Sequence, residues 1–131
     1  KAAAVGDYTP SEKVNGKIKK GENGMILSLK RTKDILEAVG GRKNGRFVVG
    51  FAAETDNLLE HAKEKLKRKN ADLFIANDVS IPGAGFETET NLIHFVYRDG
   101  KTEELPGEAK TEIAGKIFDK IRELKPVNAR L

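Results

Sequence analysis

Apolar residues in this chain gather into short runs separated by amphipathic or polar stretches, and the period of each stretch predicts an element. "RFVVGFAAET" (46–55) is the strongest strand signal, hydrophobic on both faces. "TDNLLEHAKEKLKRKN" (55–70) follows, with Leu58, Ala62 and Leu66 spaced by four, which reads as a helix with one apolar stripe. "ADLFIANDV" (71–79) is a second buried strand. Strand, helix and strand of these lengths form a βαβ unit, which implies a parallel pair and a right-handed crossover.

The flanks extend this pattern. "AAAVGDY" (2–8) reads as a buried strand that turns polar at Gly6 and Asp7, and "TPSEKVNGKIKKGENG" (9–24) as a mobile basic loop. "MILSLKR" (25–31) is strand-like. "TKDILEAVGG" (32–41) reads as a short helix, with Thr32 at the N-cap, Asp34 in the first turn and two glycines as the stop. After a loop at 80–90, "NLIHFVYRDGKTEEL" (91–105) predicts a hairpin around Asp99-Gly100. "GEAKTEIAGKIFDKIREL" (107–124) predicts a final helix with Ile113, Ile117 and Ile121 on one stripe. The fold class is therefore α/β: an open, mainly parallel, Rossmann-like sheet flanked by helices, with a β-hairpin near the carboxyl end.

Composition narrows the picture. The 131 residues suit one domain. Charged residues make up 34%, above the ~25% of ordinary globular proteins. No apolar run approaches the ~20 residues of a membrane helix, and no secretory signal is recognisable. The absence of cysteine rules out a disulfide framework, a thiolate metal site and a Cys nucleophile, and suits a cytoplasmic setting. The net charge of +4 and pI near 9.3 favour anionic partners without naming one. The start "KAAAV" looks like an apolar strand cut at its beginning, so residues 1–131 are expected to be part of a longer chain.

In open parallel sheets, ligands bind beyond the carboxyl ends of the strands. Three predicted strands present polar groups there: Gly6-Asp7 leading into the Lys17 loop, Phe51 to Glu54, and Asn77-Asp78. Lys17, Lys19 and Lys20 form either a solvated basic loop or one that closes over a polyanion, hinged at Gly16, Gly21 and Gly24. Asp7 is a turn residue or a contact to a ribose or a metal. Phe51 packs in the core or against a base. His61 and His94 lack metal-ligand spacing, and neither a dinucleotide fingerprint nor a Walker loop is present. In "KEKLKRKN" (63–70), Lys65 and Lys69 fall on one flank of the helix, being i and i+4. There they either belong to a solvated face or snorkel their long side chains over the sheet end.

"AAAVGDY", "GKIKK", "DIL", "VGFAAET", "KLKRKNADLFIANDV" and "GAGF", in this order, resemble bacterial phosphopantothenate–cysteine ligase (phosphopantothenoylcysteine synthetase), an enzyme of coenzyme A biosynthesis. The resemblance covers nearly the whole chain. In that family the ligase is usually the carboxyl-terminal half of a bifunctional protein whose front half is an FMN-dependent decarboxylase. It implies ligation of 4′-phosphopantothenate to cysteine through an acyl-cytidylate formed from CTP, with Mg²⁺ accompanying the triphosphate. Its nucleotide-binding positions map onto Ala3, Asp7, Lys17, Lys33, Asp34, Ile35, Leu36, Phe51, Lys65 and Lys69, with Lys17 as the catalytic lysine. Gly6 stands where the family often has Ala, and Lys33 where Pro usually precedes "DI". The first strands, the glycine-rich loop and the residues that hold the acyl intermediate have no counterpart here. The chain is thus expected to be the nucleotide-side portion of a single ligase domain, incomplete alone and homodimeric.

Two other classes compete. One is a basic nucleic-acid-binding module, opposed by 6% aromatics, no Trp and acidic residues (20) nearly matching basic ones (24). The other is an inactive structural or dimerisation fragment, in which the 91–105 hairpin pairs across a dimer by edge addition.

Overall fold

The computed structural model describes residues 5–19, 24–80 and 90–125, and the chain divides into two compact units, 1–35 and 36–131. The first unit holds a two-stranded antiparallel ribbon, β1 (Tyr8–Pro10) and β2 (Leu29–Arg31), with Thr9 opposite Lys30. The strand expected at 2–8 is corrected here. Val5, Gly6 and Asp7 lie exposed outside any strand, pairing starts at Tyr8, and residues 1–4 lie outside the described residues. Thr32 is not a helix cap. Its Oγ1 donates to the Gly6 carbonyl (2.6 Å) and its N–H to the Asp7 carbonyl (2.9 Å), so the hydroxyl satisfies a neighbouring segment.

Helix α1 (Ile35–Gly40) crosses the division, and the second unit continues with β3 (Val49–Glu54), α2 (Leu58–Arg68), β4 (Leu73–Asp78), β5 (Thr90–Tyr97), β6 (Thr102–Ala109) and α3 (Lys110–Leu124). The sheet order is β3-β4-β5-β6. Only β3 and β4 are parallel; β4–β5 and β5–β6 are antiparallel. The mainly parallel sheet expected from the sequence is therefore a mixed one. One helical crossover yields one parallel pair, and the tight turn after β5 forces its neighbour to run back. That turn falls at the predicted Asp99-Gly100. The Gly100 N–H donates to the Tyr97 carbonyl (3.0 Å) at a backbone φ of 86° that suits glycine.

Both faces of this sheet are covered. On one, Val48, Phe74, Ala76 and Val96 pack with Ala62 and Leu66 of α2, and Leu36 and Ala52 lie against them. On the other, Leu73, Ile75, Ile93 and Phe95 pack with Ile113 of α3, flanked by Val49, Ile117 and Ile121. Alternate residues of β4 thus serve opposite cores, which is why its sequence is apolar without a break. The α3 stripe is the predicted one, but the helix starts at Lys110 rather than 107. Gly107 to Ala109 belong to β6, whose register against β5 shifts between Asn91 and Ile93.

Candidate functional site

A crossover helix runs back along the parallel pair it connects, so the two ends of α2 lie at opposite ends of β3 and β4. The carboxyl ends of those strands carry Ala53 opposite Asn77 and Glu54 opposite Asp78. Asn77 is 4% exposed, and its Oδ1 has no hydrogen-bond partner. Asp78 Oδ1 accepts from the Ser80 N–H (2.9 Å) and hydroxyl (2.6 Å), so its carboxylate caps the turn that follows β4.

Lys65 and Lys69 lie at the far end of α2, by the amino ends of the same strands. They do share a flank, but not one over the carboxyl ends. Lys65 is half-buried. Lys69 is 7% exposed, and its Nζ lies 2.9 Å from Glu37 Oε2 on α1. The α1–α2 contact is close. A Cβ on Gly40 would fall 1.8 Å from the Lys69 carbonyl oxygen, so only glycine fits. Asn70 Nδ2 donates to the Gly40 carbonyl at 2.9 Å.

Phe51 is 56% exposed, on the edge strand β3. It alternates with Val49 toward the α3 face, whereas Leu36 and Ala52 pack on the α2 face. Within the second unit, then, Leu36 and Lys69 belong to the α2 side and Phe51 to the other face of β3. In the first unit, Asp7, Lys17, Lys33, Asp34 and Ile35 are all exposed. The Thr32 hydrogen bonds hold the backbone at Asp7 beside the segment that leads to Lys33 and Asp34. Ala3 and Lys20 lie outside the described residues. Among the described residues, no group of three or more His, Asp or Glu could hold a metal ion.

Several polar residues escaped the sequence reading. Asp72, just before β4, accepts from Lys43 Nζ (2.6 Å), Arg98 Nη1 (3.2 Å) and the Val48 N–H (2.8 Å). Near it lies a cleft of about 560 Å³ lined by Phe47, Asp72, Tyr97, Arg98, Lys120 and Leu124 among others. At its rim the Tyr97 hydroxyl donates to Glu103 Oε2 (2.5 Å), which also pairs with Lys120 Nζ (3.2 Å). Burial, and then the Glu103 hydrogen bond, push the Tyr97 phenol up to about 12. The Tyr97 and then the Lys120 hydrogen bond hold Glu103 below the usual carboxylate range, and the hydrogen bonds that Lys120 donates to Glu103 and Glu123 raise Lys120. A polar residue at the border of an apolar run, as at Asp72, was the available signal. Glu37 offered only its place in the first turn of a short helix.

A four-stranded mixed sheet with a helix on each face, one strand pair joined by a helical crossover, defines a small α/β domain. Residues 1–124 match the family described as the DNA/pantothenate metabolism flavoprotein C-terminal domain, and the chain belongs to that family. The chain is similar to the coenzyme A biosynthesis bifunctional protein CoaBC of Bacillus subtilis (strain 168), with 44% identity over 124 residues, 95% of this chain and 30% of that protein. It is 43% identical over 123 residues to its counterpart in Escherichia coli (strain K12), covering 91% of this chain and 30% of that one. It therefore spans about 30% of the length of these relatives. The crystal structure of the C-terminal domain of a coenzyme A biosynthesis bifunctional protein CoaBC superposes with a TM-score of 0.67 at 35% identity, covering 92% of this chain and 50% of that one.

Proposed function

We propose that this chain supplies the CTP-binding part of a phosphopantothenate–cysteine ligase. The observation that carries the reading is the family match over residues 1–124, with 44% identity to a bifunctional coenzyme A biosynthesis protein. In the proposed reaction the carboxylate of 4′-phosphopantothenate attacks the α-phosphate of CTP and pyrophosphate leaves. The cysteine amine then attacks the acyl carbon and displaces CMP. Negative charge grows on the phosphate oxygens as each bond forms, and a positioned lysine stabilises it. Lys17 takes this role, on an exposed segment beside Gly16, whose backbone φ is 109°.

The other nucleotide contacts are Ala3, Asp7, Lys33 to Leu36, Phe51, Lys65 and Lys69. Mg²⁺ keeps most of its coordination for water and phosphate oxygens and needs only one or two protein carboxylates. The described residues fit that demand, since they offer no acidic cage and Asp7 is an exposed carboxylate. Bound with the triphosphate, the ion would neutralise phosphate charge. Among the described residues no helix is long and apolar enough to cross a membrane. The proposal places the enzyme in the cytoplasm, as a homodimer, fused to a decarboxylase domain that holds FMN.

The test is release of pyrophosphate and CMP by the full-length parent protein given 4′-phosphopantothenate, cysteine, CTP and Mg²⁺. Pyrophosphate should appear without cysteine, and CMP only with it. No CTP-dependent release in either condition would defeat the proposal.

A further inference from the structure

Three buried side-chain oxygens have no hydrogen-bond partner among the described residues: Asn77 Oδ1, Asn91 Oδ1 and Glu108 Oε2. The strand register gathers them at one end of the sheet. Leu73 and Ile75 face α3, so Asn77, next in that alternation, does too. Asn77 stands opposite Ile93, and Asn91, two residues before Ile93, shares its face. Glu108 stands directly opposite Asn91. Its direction comes from a bulge: β6 takes three residues from Leu105 to Glu108 where β5 takes two, from Ile93 to Asn91. The extra residue turns Glu108 onto the α3 face, where Lys116 of α3 donates to its Oε1. Side chains directly opposite lie about 5 Å apart and diagonal ones about 7–8 Å, so the three residues are neighbours.

We infer that Asn77, Asn91 and Glu108 hold an alkali-metal cation, K⁺ or Na⁺. Folded proteins seldom leave buried acceptors unmatched, least of all three together. Since all three atoms accept, only a donor or a cation completes them. A water has two hydrogens to give, one short of the three acceptors. An organic amine is too large for oxygens this deep; Asn77 is 4% exposed. The charge of the ion follows from the ligands. Lys116 cancels the single carboxylate, so the triad is neutral as a whole. Ca²⁺ takes about six to eight oxygens, several of them charged, and Mg²⁺ gives up its water reluctantly. Amide oxygens suit a singly charged ion, as carbonyl oxygens replace the hydration shell of K⁺ in channel filters. Held there, the ion joins the carboxyl end of β4 to the start of β5 and to the end of β6, just before α3 begins. It fixes both strand ends from which the connection between β4 and β5 departs and returns. The inference needs none of the residues of the CTP reading and stands apart from it.

The experiment is hydrogen–deuterium exchange of the full-length protein, read by mass spectrometry on peptides from β4, β5 and the start of α3. Choline chloride is replaced by KCl or by NaCl at constant ionic strength, as a titration. At least one alkali cation should slow exchange in these peptides by about tenfold, saturably, with no change in β1 and β2. The salt with the lower half-saturating concentration identifies the ion. Asn77→Leu should abolish the response. Asn91→Asp adds a charged oxygen at the same place and should lower the half-saturating concentration by about tenfold. Equal exchange in all three salts would mean that ordered water alone satisfies the oxygens, and would overturn the inference. So would a cation response that survives Asn77→Leu, or an Asn91→Asp variant that binds the ion no more tightly. If Asn77→Leu fails to fold, the wild-type comparison of salts and the Asn91→Asp titration decide the matter.

Discussion

Gly40→Ala is the sharpest perturbation of the α1–α2 contact. The new methyl would fall 1.8 Å from the Lys69 carbonyl oxygen, and real Cβ atoms essentially never come within 3.0 Å of a neighbour. The obstacle is backbone, so no rotamer change can relieve it; α1 or the end of α2 must move by more than an ångström. The end of α2 cannot move cheaply, because Ala71 and Leu73, two and four residues on, are fully buried. Overpacking of this kind costs about 1–3 kcal/mol. Losing the Asn70 bond to the Gly40 carbonyl adds roughly 0.5–1.5 kcal/mol. A loss of about 2–4 kcal/mol is a large share of the ~5–15 kcal/mol that holds a typical domain together. Urea denaturation of the chain, followed by circular dichroism, measures it. With a slope of about 1–3 kcal/mol per molar urea, the midpoint should fall by on the order of 1 M. A midpoint unchanged within about 0.2 M would mean that α1 does not pack on α2 as described, and would remove the support for a fixed Glu37–Lys69 pair.

Other outcomes follow from single residues. In the full-length protein, Lys17→Gln should slow pyrophosphate release by a barrier of about 3–4 kcal/mol while CTP binding changes far less; near-normal turnover would make Lys17 a solvated loop residue. Asp72→Ala strips the Val48 N–H and the half-buried Lys43 of their partner. It should cost about 1–3 kcal/mol by urea denaturation, and an unchanged midpoint would refute its role as the knot before β4. Glu103→Gln should lower the Tyr97 phenol from about 12 only part of the way to its ordinary value, because burial is the larger cause and remains. Ultraviolet titration against a Tyr97→Phe control reads this directly. The sign for stability also follows. Tyr97 is raised, so its contribution is present below the ordinary tyrosine range and is lost as pH rises toward about 12. Glu103 is depressed, so its contribution is present above the ordinary glutamate range and is lost as pH falls through its lowered value.

The sequence made the second unit legible because its elements bury two faces at once. β4 needs an apolar residue at every position from Leu73 to Ala76, and α2 needs a stripe spaced by four. Both demands leave plain patterns. Strand direction leaves none: β5 is as apolar as β4 yet runs antiparallel to it, and the short Asp99-Gly100 connection marks only the antiparallel pairing of β5 with β6. Val5 to Asp7 misled because the small apolar run they close fits a buried strand. The backbone instead pairs from Tyr8 onward, with β2 as its partner, and partner context outweighs strand propensity. The start of α3 was misplaced for the same reason. Gly107 to Ala109 are taken by pairing with β5, which a helical reading of "GEAKTEI" cannot foresee.

The candidate site was less legible, and the reason lies in the crossover geometry. Spacing by four puts Lys65 and Lys69 on one flank, but spacing says nothing about which end of the sheet that flank reaches. The answer follows from connection. A helix that links two parallel strands returns to their amino ends, so its last turn is carried away from the carboxyl ends, where Asn77 and Asp78 lie. A lysine-rich last turn also has a simple local explanation, since cations favour the negative end of the helix dipole. Lys67 and Arg68, both exposed, need no more than that. Lys69 does need more. A buried ammonium must be paired, and one partner comes from α1, thirty-two residues earlier in the chain. Such a pairing leaves no periodic trace, because neither Glu37 nor Lys69 repeats with anything. The three-dimensional contact therefore picks Lys69 out of the run 63–70: Lys67 and Arg68 serve the helix end and solvent, whereas Lys69 is buried against an acid of another helix.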